Sequence, residues 1–376
     1  MSYTRAKTLK DGTVRHYAAY LGADGRYHEE GGFKTEKQAA KKAAQLELDA
    51  SRGDWASPIA GRTTFADYVA TSYWPTTAHL EVSTRTAYGY YLDKHFLPRF
   101  GTLPVRRISP AMIQAWVNDV TAGGLSPRSV VKYHALLHKI LARAVIDRAI
   151  GINPASHTAL PKVVVKPKQI ITAAQFEQIL HKLPARYQMM VLLAIETGLR
   201  WGELIALRPC DINMTTHIVL VRRTIGEVAK KHSPNGQRIY LKDHPKDDQQ
   251  RSVQIDQATC HQLQAHIRNN DIDDDGLLFT SSAGTALSRN NFRTKFWTPA
   301  VNAAKVPQTV TFHNLRAAHA SWLLAGGADI IVVQERLGHR RITTTQQYTG
   351  TLPDAGDRAL TAYRKIRYSQ TPPADS

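Results

Sequence analysis

Four short motifs in the C-terminal half assemble residue types that packing alone does not call for. They are Thr197-Gly198-Leu199-Arg200-Trp201-Gly202-Glu203-Leu204, His313-Asn314-Leu315-Arg316, Leu337-Gly338-His339 and, shortly after, Tyr348. A guanidinium offers a planar fork of N–H donors that matches two oxygens of a phosphate. A tyrosine oxygen is a nucleophile once its proton is gone. Its ordinary pKa of about 10 means that neighbouring arginines and an imidazole must help remove that proton. Two arginines, two histidines and a tyrosine therefore suit attack on a phosphodiester, with the tyrosine oxygen displacing a sugar oxygen.

Local sequence shows what must hold these groups. Arg200 follows a Thr-Gly break at the start of an amphipathic stretch that runs to Leu207, with Glu203 one turn on to hold its guanidinium. Alone, that pair would be an ordinary surface ion pair. His313 and Arg316 are spaced i, i+3, so both leave one face of a helix. Gly338 is expected to end the preceding helix in the left-handed conformation. Thr343 and Gln346 form a capping box that predicts a short helix presenting Tyr348. Lys246 lies in His244-Pro245-Lys246-Asp247-Asp248, a turn leading into the alternating strand around Arg251 to Ile255.

The ordered set Thr-Gly-Leu-Arg-x-Gly-Glu-Leu, His-x-x-Arg, Leu-Gly-His and Tyr resembles the signatures of the tyrosine recombinases, or phage-type integrases. These enzymes cut and rejoin DNA through a 3′-phosphotyrosine. The resemblance spans about residues 64 to 350 and implies the roles. Arg200, Arg316 and His313 or His339 would stabilise the charge on a five-coordinate phosphorus, with Glu203 supporting Arg200. Tyr348 would attack, and Lys246, on a hairpin turn, would protonate the departing 5′ oxygen. Asp247 and Asp248 depart from the family pattern, since they favour the charged lysine and oppose DNA approach, and they leave Lys242 as a substitute. No metal, ATP or other cofactor is implied. A zinc site of His313, His319 and His339 lacks a Cys or acidic ligand at metal-site spacing.

The rest of the chain reads as a frame for DNA. It has 376 residues, enough for two or three domains, and a net charge of +18 spread through every segment. Residues 1–62 read as a three-stranded sheet with hairpin turns at Asp11-Gly12 and Asp24-Gly25, then a helix capped by Thr35 and Gln38. Residues 64–153 read as an all-α domain. Ser109-Pro110 and Ser126-Pro127 start helices there, and Ser83 caps another that carries Tyr88, Tyr91, Leu92 and Phe96. From Arg128 to Arg148, Val131, Ala135, Leu136, Ile140, Leu141 and Val145 recur at helical spacing. Residues 154–169 read as an extended basic linker. Residues 170–376 read as a mainly α domain with a small antiparallel sheet, opened by a second capping box, Thr172 with Gln175. Its tail from Ser369 is expected to be disordered.

By resemblance these are an arm-type DNA-binding domain, a core-binding domain and a catalytic domain, together the tyrosine recombinase fold. The implied partners are double-stranded DNA attachment sites of core and arm type, and a homotetramer on DNA, with Asp357 to Arg367 as a tail helix for neighbouring protomers. A host DNA-bending protein and an excisionase are further possibilities. Cys210 and Cys260 have no disulfide or zinc spacing. No signal peptide or apolar run of roughly 18–20 residues is present, so a cytoplasmic, nucleoid-associated protein is expected. The competing readings are a catalytically inactive DNA-binding regulator, a chromosome-dimer-resolving recombinase and a type IB topoisomerase. The intact set of chemical groups disfavours the first, the N-terminal module the second, and the Leu-Gly-His register the third.

Overall fold

The computed structural model describes residues 2–22, 24–52, 55–57, 60–164, 170–229, 236–244, 250–307 and 309–346. The chain divides into two compact units, Met1–Val165 and Lys166–Ser376. Lys246, Tyr348, the segment Asp357 to Arg367 and the tail from Ser369 lie outside the described residues.

In the first unit, β1 (Tyr3–Thr8), β2 (Val14–Leu21) and β3 (Tyr27–Phe33) form an antiparallel sheet in that order. Both expected turns are present. Gly12 and Gly25 have positive φ, and the Asp11 and Asp24 carboxylates accept from the N–H groups of Thr13 and Arg26. Helix α1 (Glu36–Arg52) places Ala39, Ala43 and Leu46 over Ala18, Ala19 and Tyr20 of β2. The Thr35 hydroxyl accepts from Gln38 N at its start.

The helical part of this unit comprises α2 (Phe65–Tyr68), α3 (Val82–Tyr91), α4 (Leu97–Phe100), α5 (Pro110–Ala122) and α6 (Pro127–Ile146). Ser109 and Ser126 cap α5 and α6 as expected, each hydroxyl accepting a backbone N–H three residues on. Glu81, not Ser83, occupies the cap position of α3, so Ser83 lies inside the first turn. Along α6, Leu136, Ile140 and Leu141 are buried as expected and Val131 and Val145 are half-buried, but the buried face also takes in Val130, His134, Leu137 and Ala144, whereas Ala135 is exposed. A buried histidine occupies a core position that hydrophobicity alone would not assign. In the core of this helical part Phe65, Phe96, Phe100 and Trp116 pack edge to face, each large side chain contributing roughly 1.5–3 kcal/mol by burial. The first residues of the expected linker are folded. Ala155 is buried, and Ala159 exchanges two hydrogen bonds with the Gln114 side chain at 2.9 and 3.1 Å.

The second unit opens with α7 (Ala173–Lys182), whose capping box is complete. Gln175 N donates to Thr172 Oγ1 at 3.2 Å, and Thr172 N donates to Gln175 Oε1 at 3.0 Å. Then follow α8 (Ala185–Thr197), the single turn α9 (Trp201–Leu204) and the strands β4 (Ile212–Asn213), β5 (Ile218–Val221), β6 (Thr224–Glu227), β7 (Ile239–Lys242) and β8 (Arg251–Gln254). β4, β5 and β8 form one antiparallel sheet, and β6 pairs with β7 in a separate ribbon. Helices α10 (Gln257–Asn269), α11 (Arg289–Phe292), α12 (Thr298–Ala303), α13 (His313–Ala325), α14 (Ile330–Leu337) and α15 (Ile342–Gln346) complete it. The core runs along α8, where Met190, Val191, Leu193 and Ala194 are buried. No described helix is long and apolar enough to cross a membrane.

Candidate active site

Two helices stop on left-handed glycines, and the site is built on the carbonyls that this leaves open. α8 ends at Gly198 and α14 at Gly338, each with φ 63°. A β-carbon at Gly198 would lie 2.7 Å from both the His319 ring and Leu337 Cδ2, so packing as well as backbone requires glycine there. The last carbonyls of a helix lack intrahelical donors and lie at the negative end of its dipole. Arginines supply the donors here. Arg316 gives one Nη to Gly198 O at 2.7 Å and the other to Leu337 O at 2.6 Å, and Arg200 gives Nη2 to Gly338 O at 3.1 Å. Arg251 Nε reaches Arg336 O at 3.0 Å, and Arg336 Nη2 reaches Glu196 O at 2.9 Å. Arg200 and Arg316, remote in sequence, thus bind successive carbonyls of one helix end, and His339 is the next residue.

Glu203 organises the arginines from below. Arg200 occupies the cap position of α9, and its backbone N–H donates to Glu203 Oε2 at 2.9 Å while its Nη1 donates to Oε1 at 2.9 Å. Arg251 adds Nη2 to Oε2 at 2.7 Å and Nη1 to Oε1 at 3.2 Å. Burial alone would raise the Glu203 pKa, but the bonds and charge of Arg251, followed by Arg200, hold it at about 2. The carboxylate is therefore ionised at any working pH. Arg200 remains 26% exposed at its side chain.

His313 is exposed at the start of α13, and Arg316, one turn on, is 2% exposed. Phe312 meets the Trp201 ring edge to face at 5.0 Å, so the starts of α13 and α9 lie side by side. His339 is buried. Its backbone N–H donates to Gln334 O at 3.0 Å, and its ring Nδ1 lies 2.9 Å from Thr345 Oγ1, the contact that orients the ring. Helix α15 begins at Ile342, so Thr343 stands within its first turn rather than capping it. A cap at Thr343 would start the helix at Thr344, so the turn begins two residues earlier than expected. Lys242 ends β7 opposite Thr224 of β6. Thr224 Oγ1 and Ile225 O crowd Gly202, so this ribbon leans directly on the turn that carries Arg200. The structure thus brings Arg200, Glu203, Arg316 and His339 together, with His313 beside them.

Sequence reasoning did not anticipate the second ring of support. Arg251 appeared only as a strand landmark, although it is the strongest partner of Glu203. Behind Gly198, His319 is buried and accepts from Arg336 Nε at 3.0 Å. Burial first, then the charges of Arg336 and Arg316, lower its pKa from 6.5 to about 3. A histidine kept neutral in the fold stabilises it fully above pH 6.5, and that stability is lost as pH falls from 6.5 towards 3. Urea unfolding should therefore lose on the order of 2 kcal/mol between pH 6.5 and 5. His319→Gln should flatten that slope, and an unchanged slope would refute the assignment. Among the described residues no group of three His, Cys, Asp or Glu could hold a metal ion.

Comparison with known proteins fits this geometry. The phage integrase family model matches residues 167–353, and the model of the phage integrase N-terminal SAM-like domain matches residues 64–120. Tyrosine recombinase XerD of Rickettsia prowazekii (strain Madrid E) is 30% identical over 259 residues, 64% of this chain and 78% of that protein. A putative prophage phiRv2 integrase of Mycobacterium tuberculosis (strain ATCC 25618 / H37Rv) is 26% identical over 352 residues, 89% of this chain and 88% of that one. Among solved structures, the Tn1549 transposon integrase in complex with transposon right end DNA has a TM-score of 0.68 at 18% identity. That likeness covers 82% of this chain and 100% of that one. A lambda integrase dimer bound to a COC′ core site has a TM-score of 0.57 at 18% identity, covering 91% and 93%. These structural likenesses show a shared fold. The chain belongs to the phage integrase family of tyrosine recombinases and is a site-specific DNA recombinase.

Proposed function

We infer that this chain is the integrase of a phage or other mobile element, and that it cleaves and rejoins DNA through a 3′-phosphotyrosine. The observation that carries this is the seating of Arg200 and Arg316 on successive carbonyls next to His339. That arrangement concentrates positive charge and N–H donors where a phosphate would sit. Electrostatic stabilisation of this kind is the largest expected contribution to the rate. In the step proposed, the Tyr348 oxygen forms a bond to phosphorus and the bond from phosphorus to the 5′ oxygen breaks. The phenolic proton leaves towards His339 or His313, and Lys246 or Lys242 gives a proton to the 5′ oxygen. The link conserves the bond energy, so a second strand's 5′ hydroxyl reverses the reaction, and two such exchanges pass through a Holliday junction.

The domain assignment proposed is an arm-type DNA-binding module over residues 1–62, a core-binding domain over 64–153 and a catalytic domain from 170. The DNA complexes of the Tn1549 and lambda integrases support DNA as the partner. A homotetramer accounts for four strand cuts. The match to a putative prophage integrase over 89% of this chain favours an integrase over a chromosome-dimer resolvase.

The test is incubation of the full chain with end-labelled duplex spanning the junctions of its element, without ATP and in the presence of a chelator. The expected product is an SDS-resistant adduct that leaves a free 5′ hydroxyl and maps to the Tyr348 peptide. Tight binding with no adduct would turn the reading to a regulator. Deleting residues 1–62 should reduce integration at least about tenfold while core-site adduct formation persists, because binding energy from a tethered module adds through effective concentration. Equal integration by both proteins would remove the arm-binding role.

A further inference from the structure

Arg251 is placed where it cannot touch DNA yet can decide where Arg200 points. Its side chain is 8% exposed, and every nitrogen of its guanidinium is committed. Nη1 and Nη2 donate to the two oxygens of Glu203, and Nε donates to Arg336 O at the end of α14. The same Glu203 oxygens hold the Arg200 backbone and guanidinium, and Arg200 spans from Glu203 to Gly338 O. Arg251 Cδ would lie 3.1 Å from a β-carbon at Gly338, so its stem also packs against that helix end. One buried arginine therefore joins three pieces of backbone: strand β8, the turn that carries Arg200, and the α14 end that leads into His339.

The register of β8 adds a further link. Val221 of β5 pairs with Arg251, which fixes this strand in the central sheet. The segment with Lys246 immediately precedes it in sequence. We propose that Arg251 is a positioning residue for strand cleavage, setting the Arg200 guanidinium on the phosphate through Glu203 and tying the α14 end to the strand that follows Lys246 in sequence. This rests on the phosphotyrosine reading above. It differs from a structural ion pair in its consequence. Loss of Arg251 leaves Glu203 to be satisfied by Arg200 alone, which draws that guanidinium away from the phosphate.

The experiment compares adduct formation on two duplexes, one with a scissile phosphate and one with a methylphosphonate at that position. The methylphosphonate lacks one negative oxygen and so asks less of Arg200. Single-turnover rates at saturating DNA are measured for wild type, Arg251→Gln and Arg251→Lys. The lysine variant keeps the buried charge but cannot make the forked contact, so the comparison survives if the glutamine variant does not fold. On phosphate each folded variant should slow by about 100-fold, the order expected when an oxyanion donor is misplaced. On the methylphosphonate the defect should shrink to about tenfold or less, with DNA affinity unchanged. Equal defects on both duplexes, or no defect, would overturn the positioning role. Absence of an adduct with wild type on phosphate would instead sink the phosphotyrosine reading.

Discussion

Replacing Tyr348 with phenylalanine is expected to leave DNA binding within about twofold and to reduce covalent adduct formation by about 10⁴-fold or more, as loss of a sole nucleophile does. The substitution removes one oxygen and keeps the ring, so whatever packing the side chain contributes is retained. The argument rests on what precedes it in the chain. Thr345 is fully buried and bonds to His339 Nδ1, and His339 follows directly on the carbonyls that seat Arg200 and Arg316. Tyr348 follows three positions after Thr345, which is tied through His339 to the helix end that seats the two arginines proposed to hold the phosphate. The check is a gel-shift titration beside the SDS-resistant adduct assay. A Phe variant that still forms adduct would assign the nucleophile elsewhere.

The second large effect concerns Glu203. Glu203→Ala should destabilise the second unit by about 3–5 kcal/mol, the usual result of removing one member of a buried ion pair. The cost arises because Arg251 would keep its charge in a buried place with two of its nitrogens unpaired. Glu203→Gln should recover only part of the loss. Its amide oxygen can accept, but its NH₂ would face a guanidinium that offers only donors. The carboxylate has its pKa lowered from 4.5 to about 2. Its contribution is thus complete above pH 4.5 and lost as pH falls from there towards 2. Urea unfolding should show the wild type and the Ala variant well separated at pH 7 and converging near pH 2–3. A constant gap across that range would refute the linkage.

How much was legible in the sequence depended on whether the cause was local. The Asp-Gly turns, the serine–proline helix starts and the Thr172–Gln175 box are contacts across two or three residues, and each formed as read. The left-handed end at Gly338 was likewise readable from Leu-Gly-His. Position within a turn was not. Ser83 and Thr343 are good capping residues, yet α3 and α15 begin at Val82 and Ile342, since a capping signal fixes a helix start only to within a residue or two. The α6 face was legible in part, since Leu136, Ile140 and Leu141 are buried as read, but Ala135 is exposed and the buried His134 carries no hydrophobic signal. Arg251 was invisible because its meaning depends on Glu203, which no local rule links to it. The candidate residues themselves were recognisable as an ordered set, while their mutual support through backbone carbonyls could be seen only in three dimensions.

Because the arginines are seated on the ends of α8 and α14, the shape of this pocket depends on the lengths of two rods more than on neighbouring side chains. Inserting a single residue into a helix turns its end by about 100° and advances it about 1.5 Å. Such an insertion in α14 would swing the Leu337 and Gly338 carbonyls away from both guanidiniums even if every chemical group survived. Side chains on the outer surfaces can drift freely, but the length of each rod up to its terminal glycine cannot. In this protein an insertion or deletion of one codon within α8 or α14 should be more damaging than most substitutions, a constraint that acts on counting rather than on chemistry.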